Sequence, residues 1–280
     1  MKRLLSIAFA ATLLLSCTAI QPESPDPVLV IDGWIDDGGF PIVMVTTSAP
    51  VTQEGLSEDD INDCVQRFAR VEVSDGSRSV VLTGMPDENY YPPYIYTTGH
   101  MRGEAGKTST LTVSCKGMEA RAAVSIPEKT ALECVEAVRS EKCDTLYSVR
   151  ASLKDDCSQR RYYQIFVMRE GLDSCYRPSV LGSLDNADFA PGETTLNVYP
   201  EPTYSVDGFS LYFPKGRKLH LKFCSVPESV HSYWKSFQDA MTFTRLPLFP
   251  IRNNIASNIE GGLGLWAGYG ASFYEITPGD

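Results

Sequence analysis

The sequence predicts a mostly β chain folded as two β-sandwich domains, with one amphipathic helix near residues 226–242 in the second. Three observations carry that prediction. Hydrophobic residues alternate with period two along much of residues 28–224. Turn signals built on Gly, Asp and Pro break the alternation roughly every ten residues. Helical spacing stands out over one stretch alone. Residues 28–128 carry about seven short runs, the strand density of a transthyretin- or immunoglobulin-like sandwich. Of the 280 residues, 43% are hydrophobic and 21% charged, which supports packed cores and excludes wholesale disorder. Asp and Glu (35) outnumber Lys and Arg (25), and the net charge of −10 excludes the basic footprint of a nucleic-acid binder.

The N-terminus sets the compartment. Met1-Lys2-Arg3 precedes the apolar run Leu4–Leu15, about 18 Å of helix against a bilayer core of about 30 Å. Those proportions are a secretory signal's, not a membrane span's. The run ends Leu14-Leu15-Ser16-Cys17, which resembles the lipobox of bacterial lipoproteins. That resemblance implies that 1–16 is a cleaved signal peptide and that Cys17 carries palmitate or similar acyl chains. Two or three chains anchor stably where one does not. Residues 17–27, with Pro22, Pro25 and Pro27, read as an extended tether of up to about 30 Å.

The strand runs follow in order. Residues 28–35 and 42–45 flank the turn Asp36–Gly39 and read as a hairpin, and the acidic stretch 52–66 reads as a long loop. Residues 69–83 alternate on both sides of Asp75-Gly76, and 109–127 do so around Lys116-Gly117, giving two more hairpins. Residues 128–133 form the junction, dividing the chain into 28–128 and 129–280. Beyond it, LECVEAVRS, LYSVRASLK and RYYQIFVMRE read as strands, 170–208 give no pattern, and 209–224 read as a hairpin about Lys215-Gly216. Ser225-x-x-Glu228 has capping-box spacing, and Val226, Val230, Tyr233, Trp234, Phe237 and Met241 then form one apolar helical stripe.

The C-terminal text is the most distinctive. Leu248-Phe249-Pro250, then Ser257-Asn258-Ile259-Glu260-Gly261-Gly262-Leu263-Gly264, then Trp266 and Gly268-Tyr269, resembles domain-of-unknown-function family 4249. Ala69–Val73 with Asp75-Gly76, Ala122–Pro127 and Arg161–Tyr163 extend the likeness upstream. The resemblance implies a Gram-negative envelope lipoprotein, expected at the outer membrane, with an accessory role beside a TonB-dependent transporter. It implies no reaction. On their own chemistry, Asn258, Gly261, Gly262 and Gly264 read as a structural turn or bulge, because the segment lacks the Lys-Ser/Thr and following helix of a phosphate loop.

No catalytic motif stands out: no Gly-x-Ser-x-Gly elbow occurs, and His100, His220 and His231 have no metal-ligand spacing. No enzyme activity, metal or cofactor is expected. Tyr90, Tyr91, Tyr94 and Tyr96 around Pro92-Pro93 are the candidate contact patch for a small molecule, glycan or protein partner. Besides Cys17, seven cysteines (64, 115, 134, 143, 157, 175 and 224) sit in an expected oxidising compartment. Up to three disulfides are expected, with Cys134–Cys143 and Cys157–Cys175 as plausible short closures and at least one thiol left over. The expected function is a membrane-anchored binding module. A surface hydrolase of glycan or peptide, or a structural and adhesive module, is the alternative.

Overall fold

A computed structural model describes residues 26–49, 57–201, 210–243 and 255–279. Cys17, the expected signal peptide over 1–16 and most of the expected tether over 17–27 lie outside them. The protein is mostly β. In the first half, β1 (Leu29–Asp36) and β2 (Ile42–Thr47) form the expected hairpin. β3 (Arg70–Ser74) and β4 (Ser79–Val81) turn about Asp75-Gly76, and β5 (Thr83–Pro86) pairs with β6 (Tyr94–Thr97). β7 (Thr108–Cys115) and β8 (Met118–Ser125) close the third hairpin through Lys116 and Gly117, both at positive φ.

The second half contributes β9 (Cys134–Arg139), β10 (Leu146–Asp155), β11 (Tyr162–Arg169), β12 (Arg177–Asp185), β13 (Gly192–Val198), β14 (Phe213–Pro214), β15 (Leu219–Val226) and β16 (Gly262–Ile276). Two α-helices are described, α1 (Glu58–Cys64) and α2 (Glu228–Phe243).

One eight-stranded sheet, in the order β12-β11-β15-β16-β1-β2-β6-β5, runs through both halves. A sheet of β4-β3-β7-β8 packs on its first half. A second sheet, β13-β10-β14 with β9 beside β10, packs on the other. Each pair buries its own core: Leu29, Ile31, Ile35, Val71, Val113 and Trp266 in one, Tyr163, Ile165, Leu153, Leu221 and Phe223 in the other.

β16 joins the two halves. Its first eight residues pair in parallel with β1, from Leu29 opposite Gly262 to Asp36 opposite Tyr269. Its remaining residues pair antiparallel with β15, from Ser225 opposite Gly270 to Leu219 opposite Ile276. Division of the sequence at 128/129 puts 262–269 in the second domain, yet these residues complete the ladder of the first. A parallel partner cannot come from a local hairpin, which is why nearby sequence does not announce it.

The connection from β8 to β9 lies along β16. Residues on one face of that strand meet it in turn: a Cβ on Gly268 would fall 2.5 Å from the Ser125 carbonyl oxygen, and one on Gly270 would strike the Pro127 carbonyl. Further along, Ser272 Oγ donates to the Thr130 carbonyl at 3.0 Å, and Tyr274 Oη accepts from the Leu132 N–H at 2.6 Å.

Several local expectations are corrected. Residues 58–64 form α1 rather than loop; Ser57 caps it, with Asp60 returning the capping-box bond that Glu or Gln makes more often. Ser225 does not cap α2. It is the penultimate residue of β15, its hydroxyl lies 2.9 Å from that of Thr130, and the first helical N–H groups of Val230 and His231 donate to the Pro227 carbonyl instead. β14 pairs with β10, not β15, so 209–224 is no hairpin. The unpatterned stretch 170–208 contains β12 and β13.

All seven described cysteines are thiols. Cys134 starts β9 while Cys143 sits in the turn beyond its far end, roughly 17 Å away along an extended strand. Cys157 precedes β11 and Cys175 follows it, so that strand separates them by its whole length. Neither pair approaches the Cα spacing of about 4.4–6.8 Å that a disulfide needs. Alkylation of the denatured, unreduced chain is therefore expected to label all seven of these thiols; a mass showing fewer would restore the disulfide expectation. Separately, Gly268→Ala is expected to lower stability by about 1–3 kcal/mol through overpacking against the Ser125 carbonyl. Urea unfolding measures it, and an unchanged midpoint would remove the close-approach argument.

Candidate functional site

Among the described residues, the face of the large sheet opposite the two covering sheets is only partly covered. On β1, residues of alternate parity separate: Leu29, Ile31 and Ile35 enter the core, while Asp32, Trp34 and Asp36 point the other way. Register then brings like residues beside them. Ile42 and Met44 on β2 stand opposite Trp34 and Asp32, Tyr269 on β16 stands opposite Asp36, and Phe273, Lys222 and Phe166 line up across β16, β15 and β11. Helix α2 covers part of this face, with Trp234 edge-on to Phe166 at 5.3 Å and its Nε1 donating to Tyr269 Oη at 3.0 Å.

Between them opens a cavity of about 460 Å³. Its floor is the strand face just described. One wall is Asn89, Tyr90 and Tyr91 from the β5–β6 connection, and another is residues 174–178 leading into β12. The walls touch where Ser174 Oγ donates to the Asn89 carbonyl at 2.7 Å. The site thus draws on both halves of the chain.

Three polar features dominate the floor. Lys222 is 5% exposed, and its Nζ donates to both oxygens of Asp36 at 2.7 and 2.8 Å while lying 4.8 Å from the Tyr269 ring centroid. Asp32 is exposed by its surface area, yet the protein packed around it still raises its pKa to about 6 by desolvation. Tyr90, packed on Trp34 with centroids 5.8 Å apart, is pushed to about 12, first by burial and then by the charges of Cys175, Asp87 and Asp36. Burial raises the Cys175 thiol as well, so it is not an activated nucleophile.

The four candidate tyrosines separate. Tyr90 and the half-exposed Tyr91 line the cavity. Tyr94 and Tyr96 do not: they meet edge to face at 5.6 Å, Tyr96 is buried with its hydroxyl donating to the Gln66 carbonyl, and Tyr94 Oη donates to the Arg67 carbonyl at 3.1 Å. The C-terminal signature lies elsewhere and acts on the backbone. Asn258 mimics a strand partner, accepting from the Trp266 N–H at 2.9 Å and donating to its carbonyl at 2.7 Å. A Cβ on Gly262 would lie 2.7 Å from the Leu29 carbonyl oxygen, and Gly261 and Gly264 take positive φ against the Glu119 and Ile31 carbonyls.

Sequence reading passed over Asp32, Asp36 and Lys222. A signal existed in LVIDGWID, where acidic and aromatic residues occupy every other position of an otherwise apolar strand. Lys222, in contrast, is one of two lysines in KLHLKFC, and its partner lies 186 residues away.

Two other arrangements were tested for chemistry. Ser183 Oγ lies 3.0 Å from His231 Nδ1, a nucleophile–base distance, but this pair belongs to the α2–β12 contact, with His231 stacked on Tyr162 at 4.6 Å, rather than to the cavity. Among the described residues no three His, Cys, Asp or Glu side chains converge to hold a metal ion.

A family model described as "Domain of unknown function (DUF4249)" matches residues 18–273. The chain belongs to this family. No curated protein matches it. The DUF4249 match spans both cores, the connection laid along β16 and every residue lining the cavity.

Asp32 gives a pH signature to this DUF4249 chain. An acid whose folded pKa lies above its ordinary 3.8 opposes folding once ionised, so its cost is complete above about pH 6 and absent below about pH 4. Asp32→Asn is expected to raise the Tm at pH 7.5 and to leave it unchanged at pH 4. Equal shifts at both pH values would show that the carboxyl is not desolvated.

Proposed function

We propose that this chain is a lipid-anchored envelope module that binds a small molecule or a short glycan or peptide segment in the cavity at the junction of its two sandwiches. In this reading Cys17 holds it to the outer membrane, residues 18–27 give it reach, and its partner is a TonB-dependent transporter, as the family likeness suggests. The carrying observation is the cavity itself. Its volume of about 460 Å³ falls in the range of about 300–1,000 Å³ typical of small-ligand sites, and its aromatic rings stand among charged and polar side chains that can orient a ligand.

Binding is favoured over glycoside cleavage by the two carboxylates present. Asp32 and Asp36 are four residues apart on an extended strand, about 13 Å between Cα atoms. Asp36 gives both oxygens to Lys222, which leaves neither free to act as a base.

Two measurements check the proposal. Cys17→Ala is expected to move the protein from the membrane to the soluble fraction, with loss of the acyl mass from the N-terminal peptide. Affinity purification of the wild-type chain in mild detergent is expected to bring an outer-membrane barrel with it. Retention of the variant in membranes would overturn the anchor, and recovery of the lipoprotein alone would overturn the transporter partnership.

A further inference from the structure

The cavity already holds one ammonium group, the protein's own. Lys222 Nζ rests against the Asp36 carboxylate and over three ring faces, 4.8 Å from the Tyr269 centroid, 5.6 Å from Phe166 and 6.0 Å from Phe273. A carboxylate backed by aromatic faces is the setting an alkylammonium favours, through a charge-assisted hydrogen bond and cation–π attraction together.

Four residues earlier on the same strand face, Asp32 is a second carboxylate lining the cavity, more exposed than Asp36 but with aromatic residues nearby. Trp34 follows it on that face, Met44 is its partner on β2, and Tyr269 on β16 and Tyr233 on α2 are close enough to feel its charge. What is missing is the cation. Among the described residues nothing gives Asp32 a counter-ion or a hydrogen bond. The other charges around the cavity are matched. Lys222 sits on Asp36, Arg169 forks onto Asp173 with contacts of 2.7 and 2.8 Å, and Arg177 lies near Asp173 and Glu201.

We propose that the cavity takes a ligand bearing a protonated amine on an aromatic or apolar body, with the ammonium against Asp32 and the body between Trp34 and Trp234. This rests on the binding-module reading above and adds the ligand's chemical class. Binding of such a cation requires Asp32 to be ionised. Of the groups facing it, Asp36 and Lys222 are engaged with each other, and burial holds the phenols of Tyr233 and Tyr269 protonated well above neutral pH. Acidification therefore acts through Asp32, and at pH 5 only about one carboxyl in ten remains ionised for a pKa near 6.

Three probes of one shape and different charge test this: tryptamine, neutral tryptophol and anionic indole-3-propionate, titrated calorimetrically into the full detergent-solubilised chain. Tryptamine is expected to bind at pH 7.5 at least tenfold more tightly than the other two, and to weaken about tenfold at pH 5. Asp32→Asn, folded by its melting transition, is expected to erase the preference. Equal or tighter binding of tryptophol or indole-3-propionate would overturn the proposal, as would tryptamine binding that ignores Asp32→Asn, or no tryptamine binding at all. Co-purification of a barrel alongside any of those results would leave the envelope module standing without its amine site.

Discussion

Strand β16 has to satisfy two ladders and a crossing chain at once, and the rest of the architecture follows from how it does so. Its backbone hydrogen-bonds to β1 along one half and to β15 along the other, so the two sandwiches share one sheet rather than meeting as separate bodies. On its covered face the β8–β9 connection passes so close that Gly268 and Gly270 leave no room for a side chain. Trp266, wholly buried, anchors the same face by donating from Nε1 to the Ser109 carbonyl at 3.1 Å. Ser272 and Tyr274 then bond the connection itself. An ordinary interdomain linker leaves its domains free to move; here the linker is stitched to the strand that both domains use.

That continuity is what makes the cavity. Asp36 belongs to the first sandwich and Lys222 to the second, and they meet only because β16 holds β1 and β15 in one register. Burying such a pair removes two ions from water, and well-packed apolar residues would often serve stability as well or better. The pair is compensated by two short contacts and three ring faces, so it holds, but core packing alone does not call for it. Its place on the floor of a concave, aromatic-lined surface fits a recognition site, where charge sets selectivity more than affinity.

Legibility in the sequence tracked the range of the interactions. Hairpins closed by Asp75-Gly76 and Lys116-Gly117 were readable because turn chemistry and alternation are local. The strand LYSVRASLK was readable as a strand but not as the centre of a sheet flanked by β9, β13 and β14. α1 was missed because its capping box uses Asp60 within an acidic run that otherwise reads as solvated loop. The Ser225-x-x-Glu228 spacing misled for the opposite reason: the residues fit the pattern, but β15 runs through Ser225 and its hydroxyl is taken by Thr130. At the site, Tyr90 and Tyr91 were visible as an aromatic cluster, while Tyr94 and Tyr96, two and four residues beyond the Pro92 that follows them, turn into the packing of the first sandwich. Asp32 left a trace in the alternation of LVIDGWID, but Lys222 left none, because its partner is set by pairing between distant strands.

A ligand in that cavity would touch both sandwiches. Its floor spans β1, β2, β11, β15 and β16, and its walls come from 89–91 on one side and 174–178 on the other, already in contact through Ser174 and the Asn89 carbonyl. Anything bound there adds its free energy to the native state of both halves together, by the mass-action rule that a ligand stabilises whatever conformation holds its site. Residues 89–91 and 174–176 of those walls are connections between strands, the class of element with fewest ladder bonds, so they are where binding has most order left to impose. That places the conformational consequence of binding on the exposed rim of the sheet, at Tyr91 and its neighbours.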